Sequence, residues 1–126
     1  MSLPSFLVVG GGPAGCAVAG ALAARGADVA VIENVAVRLQ AEGAAALQTL
    51  GVDVRVGLAL VGVVDVGTHL EAELSNGHVE NFDGILLADP DAVARVDTDA
   101  RGVAVIRDDA DADREAARLV RAHRVG

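Results

Sequence analysis

The chain has 126 residues, 52% of them hydrophobic, which suffices for one domain with its own core and excludes a disordered chain. Its net charge of -8, with every basic residue an arginine, disfavours nucleic acid and anionic membranes as partners. The single cysteine, Cys16, excludes an internal disulfide, and no Cys/His spacing predicts a metal site. No segment is apolar enough to span a membrane and no secretory signal is recognised, so we expect a cytoplasmic, single-domain protein over residues 1–126.

The first third of the chain predicts a βαβ unit. "SFLVVG" is typical of a short buried strand, and "PAGCAVAGALAARG" predicts a helix. Pro13 suits the first helical turn, and Gly26 suits the left-handed position that ends a helix. "DVAVIE" predicts a second continuous apolar strand, as found where both faces of a sheet are covered.

The middle of the chain predicts a helix, a strand and then a change of period. "AVRLQAEGAAALQTLG" predicts a helix that stops at Gly51, with one apolar face made of Leu39, Ala46, Leu47 and Leu50. "VDVRVG" predicts a third strand. "LALVGVVDVG", "THLEAELSNG" and "HVENFDG" then alternate with period two and predict an antiparallel meander, with Asn76-Gly77 as a hairpin turn.

The last third returns to continuous apolar strands. "GILLADP" predicts a strand closed by Pro90, and "GVAVIRD" predicts another strand. "DADREAARLVRAHRVG" predicts a final amphipathic helix with an acidic start and an Arg-rich end. The expected fold is therefore α/β, a Rossmann-like, mostly parallel sheet with helices on both faces and a small antiparallel β-meander.

The spacing Gly10-x-Gly12-x-x-Gly15 follows the first strand and opens the first helix. In such a loop the first glycine permits a sharp turn, the second lets a diphosphate approach the backbone, and the third allows close packing of helix and strand. Glu33 ends the second strand, 18 residues after Gly15, where a carboxylate can accept hydrogen bonds from both hydroxyls of an adenosine ribose. A carboxylate there would repel a 2′-phosphate, which argues against NADP.

The segment "FLVVGGGPAGCAVAGALAARGADVAVIE" resembles the N-terminal fingerprint of the FAD-binding flavoproteins with two dinucleotide-binding domains. This family includes the pyridine nucleotide–disulfide oxidoreductases and thioredoxin reductases. "GGGPAG" is more similar to the FAD-binding copy of the fold than to the NAD-binding copy. "NGHVENFDGILLAD" and "RGVAVIRDDADADREAARLV" resemble, more loosely, the later flavin-contacting motifs.

The resemblance implies a set of cofactor-binding residues by position. The diphosphate would be wrapped by Gly10, Gly12, Pro13, Ala14 and Gly15. The adenosine would meet Glu33, Asn34 and Leu60, and Asp108 would stand where the family's Gly-Asp carboxylate bonds the ribityl–phosphate end.

The sequence departs from the family pattern at two positions. Ala88-Asp89-Pro90 stands where the family has Ala-Thr-Gly, and Arg107 stands where it has the glycine before the carboxylate. An arginine there either fills the space that the cofactor needs or pairs with a phosphate. The chain also has no room for the second domain that these flavoenzymes carry.

Other candidate residues carry less chemistry. A thiol at the start of a helix can have a lowered pKa, but Cys16 is better explained as a small residue packed against the sheet. No carboxylate or serine lies at a sequence spacing from the three histidines that indicates catalysis. The acidic cluster from Asp108 to Asp113 is better explained by helix N-capping than by cation binding. No catalytic residue can be assigned.

Two functional hypotheses follow. The first is a dinucleotide-binding protein of the flavoprotein oxidoreductase type, with FAD favoured over NAD, redox-active with a partner subunit or as a homodimer. The second is a degenerate Rossmann module that acts as a non-catalytic regulatory or structural nucleotide-binding subunit.

Overall fold

A βαβ unit occupies the first third of the chain in the computed structural model, which describes residues 3–39 and 41–123. Strand β1 spans Ser5–Val9, helix α1 spans Pro13–Ala24 and strand β2 spans Asp28–Glu33. Both strands are buried along almost their whole length, as expected of parallel strands that are covered on both faces. Gly26 ends α1 in the left-handed conformation, with φ of +85°, as predicted.

Five parallel strands form the main sheet in the order β3-β2-β1-β7-β8. The three added strands are β3, Asp53–Val56, β7, Gly84–Leu87, and β8, Val103–Val105. Val9 pairs in register with Ile32 on one side and Leu87 on the other, so the strands end at a common edge. The strand order reverses between β1 and β7, and a crevice for ligands forms outside the carboxyl ends of strands at such a point.

A three-stranded antiparallel meander separates β3 from β7. Its strands are β4, Leu60–Asp65, β5, Leu70–Leu74, and β6, Val79–Phe82, in the order β4-β5-β6. Gly77 has φ of +87° in the turn between β5 and β6, which confirms the predicted Asn76-Gly77 hairpin.

The main sheet is covered by helices on one face and chiefly by the meander on the other. Helices α1, α2, Ala41–Thr49, and α4, Ala112–His123, pack on the first face, and the meander with α3, Pro90–Arg95, packs on the second. Side chains of β1 alternate between the two cores, Phe6 and Val8 toward the helices and Leu7 and Val9 toward the meander. The predicted α/β fold class is confirmed.

The second helix is shorter than predicted, and its predicted apolar face is wrong in part. A 3₁₀ turn at Ala36–Arg38 precedes α2, whose buried residues are Ala44 and Leu47, whereas Ala46 and Leu50 are exposed. Leu39 contacts the glycine loop before α2 begins, since a Cβ on Gly11 would lie 2.5 Å from Leu39 Cδ1. The residues before Ala41 therefore do not share the helical phase, and Gln40 lies outside the described residues.

The predictions omitted one helix, because Pro90 was expected only to close a strand. Instead Pro90 opens α3, with Asp89 as its N-cap. The final helix is confirmed over Ala112–His123, after a 3₁₀ turn at Asp109–Asp111 whose N-cap is Asp108. The last three residues of that prediction, 124–126, lie outside the described residues. Among the helices that the structure describes, none is long and apolar enough to cross a membrane.

Candidate functional site

The loop between β1 and α1 turns the chain at its first glycine. Gly10 has φ of +115°, a backbone conformation that residues with a Cβ rarely adopt. A Cβ there would also lie 3.1 Å from the carbonyl carbon of Ala88. The Gly10 N–H donates to the Ile32 carbonyl oxygen at 2.9 Å, which ties the end of β1 to β2. A larger residue would strain the backbone and press on the segment that follows β7.

The other two glycines of the motif face opposite environments. A Cβ on Gly15 would lie 1.8 Å from the Gly10 carbonyl oxygen, so only glycine lets α1 sit this close to the loop. A Cβ on Gly12 would meet no atom within 4 Å, and Gly12 lines an open cavity. The third glycine is thus needed by the fold, whereas no contact within the described structure requires the second.

Helix α1 begins beside this cavity, and backbone N–H groups in its first turn have no intrahelical acceptor. Its N-cap is Gly12 and Pro13 follows at the first position, so none of the described side chains accepts a hydrogen bond at this helix end. The first intrahelical bond is made by the Cys16 N–H to the Gly12 carbonyl oxygen at 2.9 Å, which leaves the N–H groups of Ala14 and Gly15 without intrahelical acceptors. These donors and the helix dipole favour an anion.

Glu33 is a buried carboxylate that holds two loops. Its side chain is only 3% exposed, Oε1 accepts from the Gly11 N–H at 2.9 Å, and Oε2 accepts from the Val35 N–H at 2.8 Å. Each oxygen keeps unused acceptor capacity, and Glu33 lines the same cavity as Gly10 and Gly12. The carboxylate can therefore accept a ligand hydroxyl while its position is fixed by the backbone.

Two adjoining cavities form a trough along the carboxyl ends of the strands. The first, of about 320 Å³, is lined by Glu33 at the end of β2, the glycine loop after β1 and the segment after β7. The second, of about 350 Å³, lies over β7 and β8 and extends to Arg107. Both share Ala88, Asp89 and Pro90, so the trough runs past the point where the strand order reverses.

The segment after β7 makes the centre of this trough acidic. Asp89 Oδ1 accepts from the Asp91 N–H at 3.0 Å as the cap of α3, and Asp91 pairs with Arg38 at 3.7 Å. With Glu33, three carboxylates and one arginine line the first cavity. An anionic ligand in this cavity would therefore meet more negative than positive side chains.

The remaining predicted site residues lie at different distances from the trough. Asn34 and Leu60 line a small cavity of about 10 Å³ beside it, which also includes Asp89 and Asp91, and the Leu60 side chain is buried. Asp108 follows Arg107 outside the lining of the two trough cavities, and its Oδ1 accepts from the Ala110 N–H at 2.9 Å. That hydrogen bond is the main reason that the pKa of Asp108 lies below its usual value.

Cys16 has the environment of a packing residue. Its side chain is buried, and the thiol donates to the Gly11 carbonyl oxygen at 3.3 Å. Burial first, and then the charge of Glu33, raise the pKa of the thiol, which opposes the lowering expected from the helix dipole. The structure therefore supports the packing interpretation over a reactive thiol.

The sequence did not lead us to predict Arg38 or Asp91 at the site, and Asp89 was noted only as a departure from the family's Ala-Thr-Gly. The Asp89-Pro90 pair carried a usable signal, since an aspartate before a proline is typical of an N-cap and first helical position. Arg38 carried none, because its position depends on how the 3₁₀ turn after β2 folds back toward α3.

The family model described as "Pyridine nucleotide-disulphide oxidoreductase" matches residues 2–110. The chain belongs to this family. The resemblance recognised in the glycine fingerprint is thereby confirmed, and it extends beyond the fingerprint to the strands on the far side of the sheet. A search of curated proteins gives no match.

Solved structures of flavoproteins share the fold. 2-Methyl-3-hydroxypyridine-5-carboxylic acid oxygenase aligns with a TM-score of 0.62 at 19% identity, over 74% of this chain and 43% of that one. The HOCl-induced flavoprotein disulfide reductase RclA of Escherichia coli aligns with a TM-score of 0.60 at 20% identity, over 68% and 21%. Thioredoxin reductase of Lactococcus lactis aligns with a TM-score of 0.58 at 17% identity, over 68% and 35%.

The chain therefore has the dinucleotide-binding fold of the FAD-dependent oxidoreductases, and it spans less than half the length of these structural relatives. At such identities the likeness establishes the fold alone. What the site of this chain binds depends on its own residues.

Proposed function

We propose that this chain is a dinucleotide-binding module of the flavoprotein oxidoreductase type and that FAD is its cofactor. The backbone of Gly10, Gly12, Pro13, Ala14 and Gly15 surrounds the diphosphate. Glu33 accepts hydrogen bonds from the adenosine ribose, with Asn34 and Leu60 beside the adenosine and Asp108 near the ribityl end. NAD, which shares the adenosine diphosphate half, is the alternative cofactor.

The observation that carries the proposal is the contrast between Gly12 and Gly15. Gly15 is required by packing, because its Cβ would overlap the Gly10 carbonyl oxygen. Gly12 has open space where its Cβ would be, and that space lies at the N-terminus of α1 and within the trough. A glycine that no contact within the described structure requires, beside backbone donors without intrahelical acceptors, fits a site for a diphosphate.

Glu33 supports the ribose assignment and discriminates among nucleotides. Its carboxylate is fixed by the Gly11 and Val35 N–H groups and so presents its remaining acceptor positions in one direction. A ribose with two hydroxyls can donate to such a group. A 2′-phosphate would place negative charge against a buried carboxylate, so NADP is expected to bind much more weakly than NAD.

When bound, FAD supplies hydride or electron transfer, and the chain's residues hold and orient it. This chain spans only 21% to 43% of the flavoproteins compared above. Because the trough residues described here are assigned to the cofactor, we propose that a partner subunit or a second copy of the chain contributes to the substrate site.

A second candidate is a degenerate module that binds nucleotide loosely or not at all and acts as a regulatory or structural subunit. The observation that favours it is the charge of the first cavity, where Glu33, Asp89 and Asp91 face a site meant for a diphosphate and Arg38 is already paired with Asp91. Like charges at such distances weaken anion binding.

The visible absorption spectrum of the purified protein, with chromatography of any small molecule released by heat, tests the two candidates. A yellow protein that releases stoichiometric FAD supports the flavoprotein proposal. A colourless protein that binds neither FAD nor NAD nor ADP in calorimetric titrations supports the second candidate and contradicts the first.

A matched pair of variants locates the site. Gly12→Val is expected to abolish nucleotide binding while the free energy of unfolding changes by no more than about 1 kcal/mol, because the new Cβ would meet no atom within 4 Å. Gly62→Val, in strand β4, is the control, since its Cβ would meet only Glu73 Oε2 at 3.6 Å. Equal nucleotide affinity in the two variants would contradict the proposed site.

A further inference from the structure

Arg107 follows β8 at the end of the trough opposite Glu33. It is exposed, it lines the second cavity, and it forms no hydrogen bond or ion pair with any residue that the structure describes. By contrast Arg38, the arginine of the first cavity, is paired with Asp91. Arg107 therefore holds a cationic charge at the trough without a partner among the described residues.

The cavity beside Arg107 is mostly apolar. Of its lining residues only Asp89 and Arg107 are charged, and the others are Leu87, Ala88, Pro90, Val93, Val105 and Ile106. The Asp89 carboxylate is engaged as the cap of α3 through the Asp91 N–H. The guanidinium is thus the one charged group of this cavity with no described protein partner.

The lining charge differs between the two cavities: three carboxylates and one arginine line the first, whereas one carboxylate and one arginine line the second. The glycine-loop cavity carries an excess of carboxylates, and the whole chain has a net charge of -8. A diphosphate that lies only over the glycine loop would meet helix donors but also Glu33, Asp89 and Asp91. If the second phosphate lies nearer to β8, it is closer to Arg107, which has no partner within residues 3–39 and 41–123.

We propose that Arg107 binds the second phosphate of the ligand, the one farther from the adenosine. This inference rests on the proposed dinucleotide function. The trough crosses β1, β7 and β8, about 5 Å apart from strand to strand, and an arginine side chain is long enough to reach back across one strand spacing. Arg107 thereby makes the site selective for nucleoside diphosphates and dinucleotides over nucleoside monophosphates.

The test compares AMP, ADP and FAD as probes in calorimetric titrations of the intact chain. In Arg107→Gln, the affinities for ADP and FAD are expected to fall about tenfold, as for loss of one charge-assisted hydrogen bond, while the affinity for AMP changes less than about twofold. Arg107→Lys keeps the charge but loses the planar guanidinium. Its affinities for ADP and FAD are expected to lie between those of the unchanged protein and those of Arg107→Gln.

Arg121→Gln is the matched control. Arg121 is an exposed arginine of α4 that lines a separate groove with Arg25 and has no described partner of its own. Its removal changes the net charge equally, so it is expected to alter the three affinities by the same small factor. Thermal unfolding of each variant checks that the fold is retained.

The outcomes separate the inference from the function on which it rests. If the unchanged protein binds none of the three probes, the proposed function fails and the role of Arg107 fails with it. If it binds all three but Arg107→Gln matches Arg121→Gln, only the role of Arg107 is overturned. An equal loss for AMP and ADP in Arg107→Gln would also overturn the assignment to the second phosphate.

Discussion

The backbone N–H of Gly11 donates to Glu33 Oε1 at 2.9 Å across a separation of 22 residues. The other carboxylate oxygen accepts from the Val35 N–H at 2.8 Å. Because the side chain is only 3% exposed, water competes weakly for these bonds. The carboxylate proposed to recognise a ribose is therefore also the group that fixes the glycine loop against the end of β2.

Glu33→Gln is expected to lower the free energy of unfolding by about 1–3 kcal/mol. The amide keeps one acceptor oxygen, so one of the two backbone N–H groups loses its partner in a buried place. Denaturant unfolding measures the change, and amide hydrogen exchange at Gly11 and Val35 identifies the group that lost its acceptor. Glu42→Gln, an exposed glutamate of α2, should change stability by less than about 0.5 kcal/mol. Equal stability of the two variants would contradict a structural role for Glu33.

Gly15→Ala is expected to destabilise the protein by about 1–3 kcal/mol or more, because the new Cβ overlaps the Gly10 carbonyl oxygen and α1 must move away from the loop. Gly20→Ala is the control within the same helix. Its Cβ would lie 3.7 Å from Leu47 Cδ2, an ordinary contact, and alanine is the better helix former by about 1 kcal/mol. The melting temperature should therefore fall in Gly15→Ala and rise in Gly20→Ala. A change in the same direction in both variants would argue against the close contact at Gly15.

The Cys16 thiol is expected to react slowly with iodoacetamide at pH 8 in the native protein and rapidly in urea. Burial, and then the charge of Glu33, raise its pKa above the usual 9.0, so the thiolate is disfavoured by the fold. A raised folded pKa contributes stability that is present below pH 9 and is lost as the pH rises through the folded pKa. The stability difference between the unchanged protein and Cys16→Ala should accordingly narrow above pH 9, and fast native labelling would contradict the packing role.

Asp108→Ala is expected to lower the melting temperature at pH 7, because the carboxylate caps the turn before α4 through the Ala110 N–H. This bond holds the pKa of Asp108 below its usual 3.8. A lowered folded pKa contributes stability that is present above the unfolded pKa and is lost as the pH falls through the folded pKa. The difference in melting temperature between the unchanged protein and Asp108→Ala should therefore shrink below about pH 3.8. Asp108→Asn keeps an acceptor and should lie close to the unchanged protein at pH 7.

Local chemistry was strong enough for most elements to be predicted from the sequence. The glycines after β1, Pro13 at the start of α1 and Gly26 at its end specify a strand–turn–helix in one place only, and the change of period specifies the meander. The apolar face of the second helix was predicted wrongly in part, because four of its nine residues are alanines, which give little contrast between buried and exposed sides. Helix α3 was omitted because six residues carry too little periodicity to be recognised.

The candidate site was predictable where backbone requirements fix residue type. Gly10, Gly12 and Glu33 were expected together on the strength of their spacing, and they line one cavity. Arg38 and Asp91 were not expected there, because no local rule relates a turn after β2 to a helix after β7, and Asp89 was noted only as a departure from the family pattern.

The sequence by itself determined the family, the βαβ unit and the need for glycine at the turn, since these depend on backbone conformation within a few residues. Only the tertiary structure decided which glycine is required by packing and which faces open space. It also decided that Asp89 stands beside the glycine loop and that Arg107 has no partner in the part of the chain described. These features depend on the parallel pairing of β8 with β7 and of β7 with β1, whose partners, such as Phe6 and Gly84, lie 78 positions apart (84 − 6). Distances across a sheet follow from strand order, and strand order is a property of the whole chain.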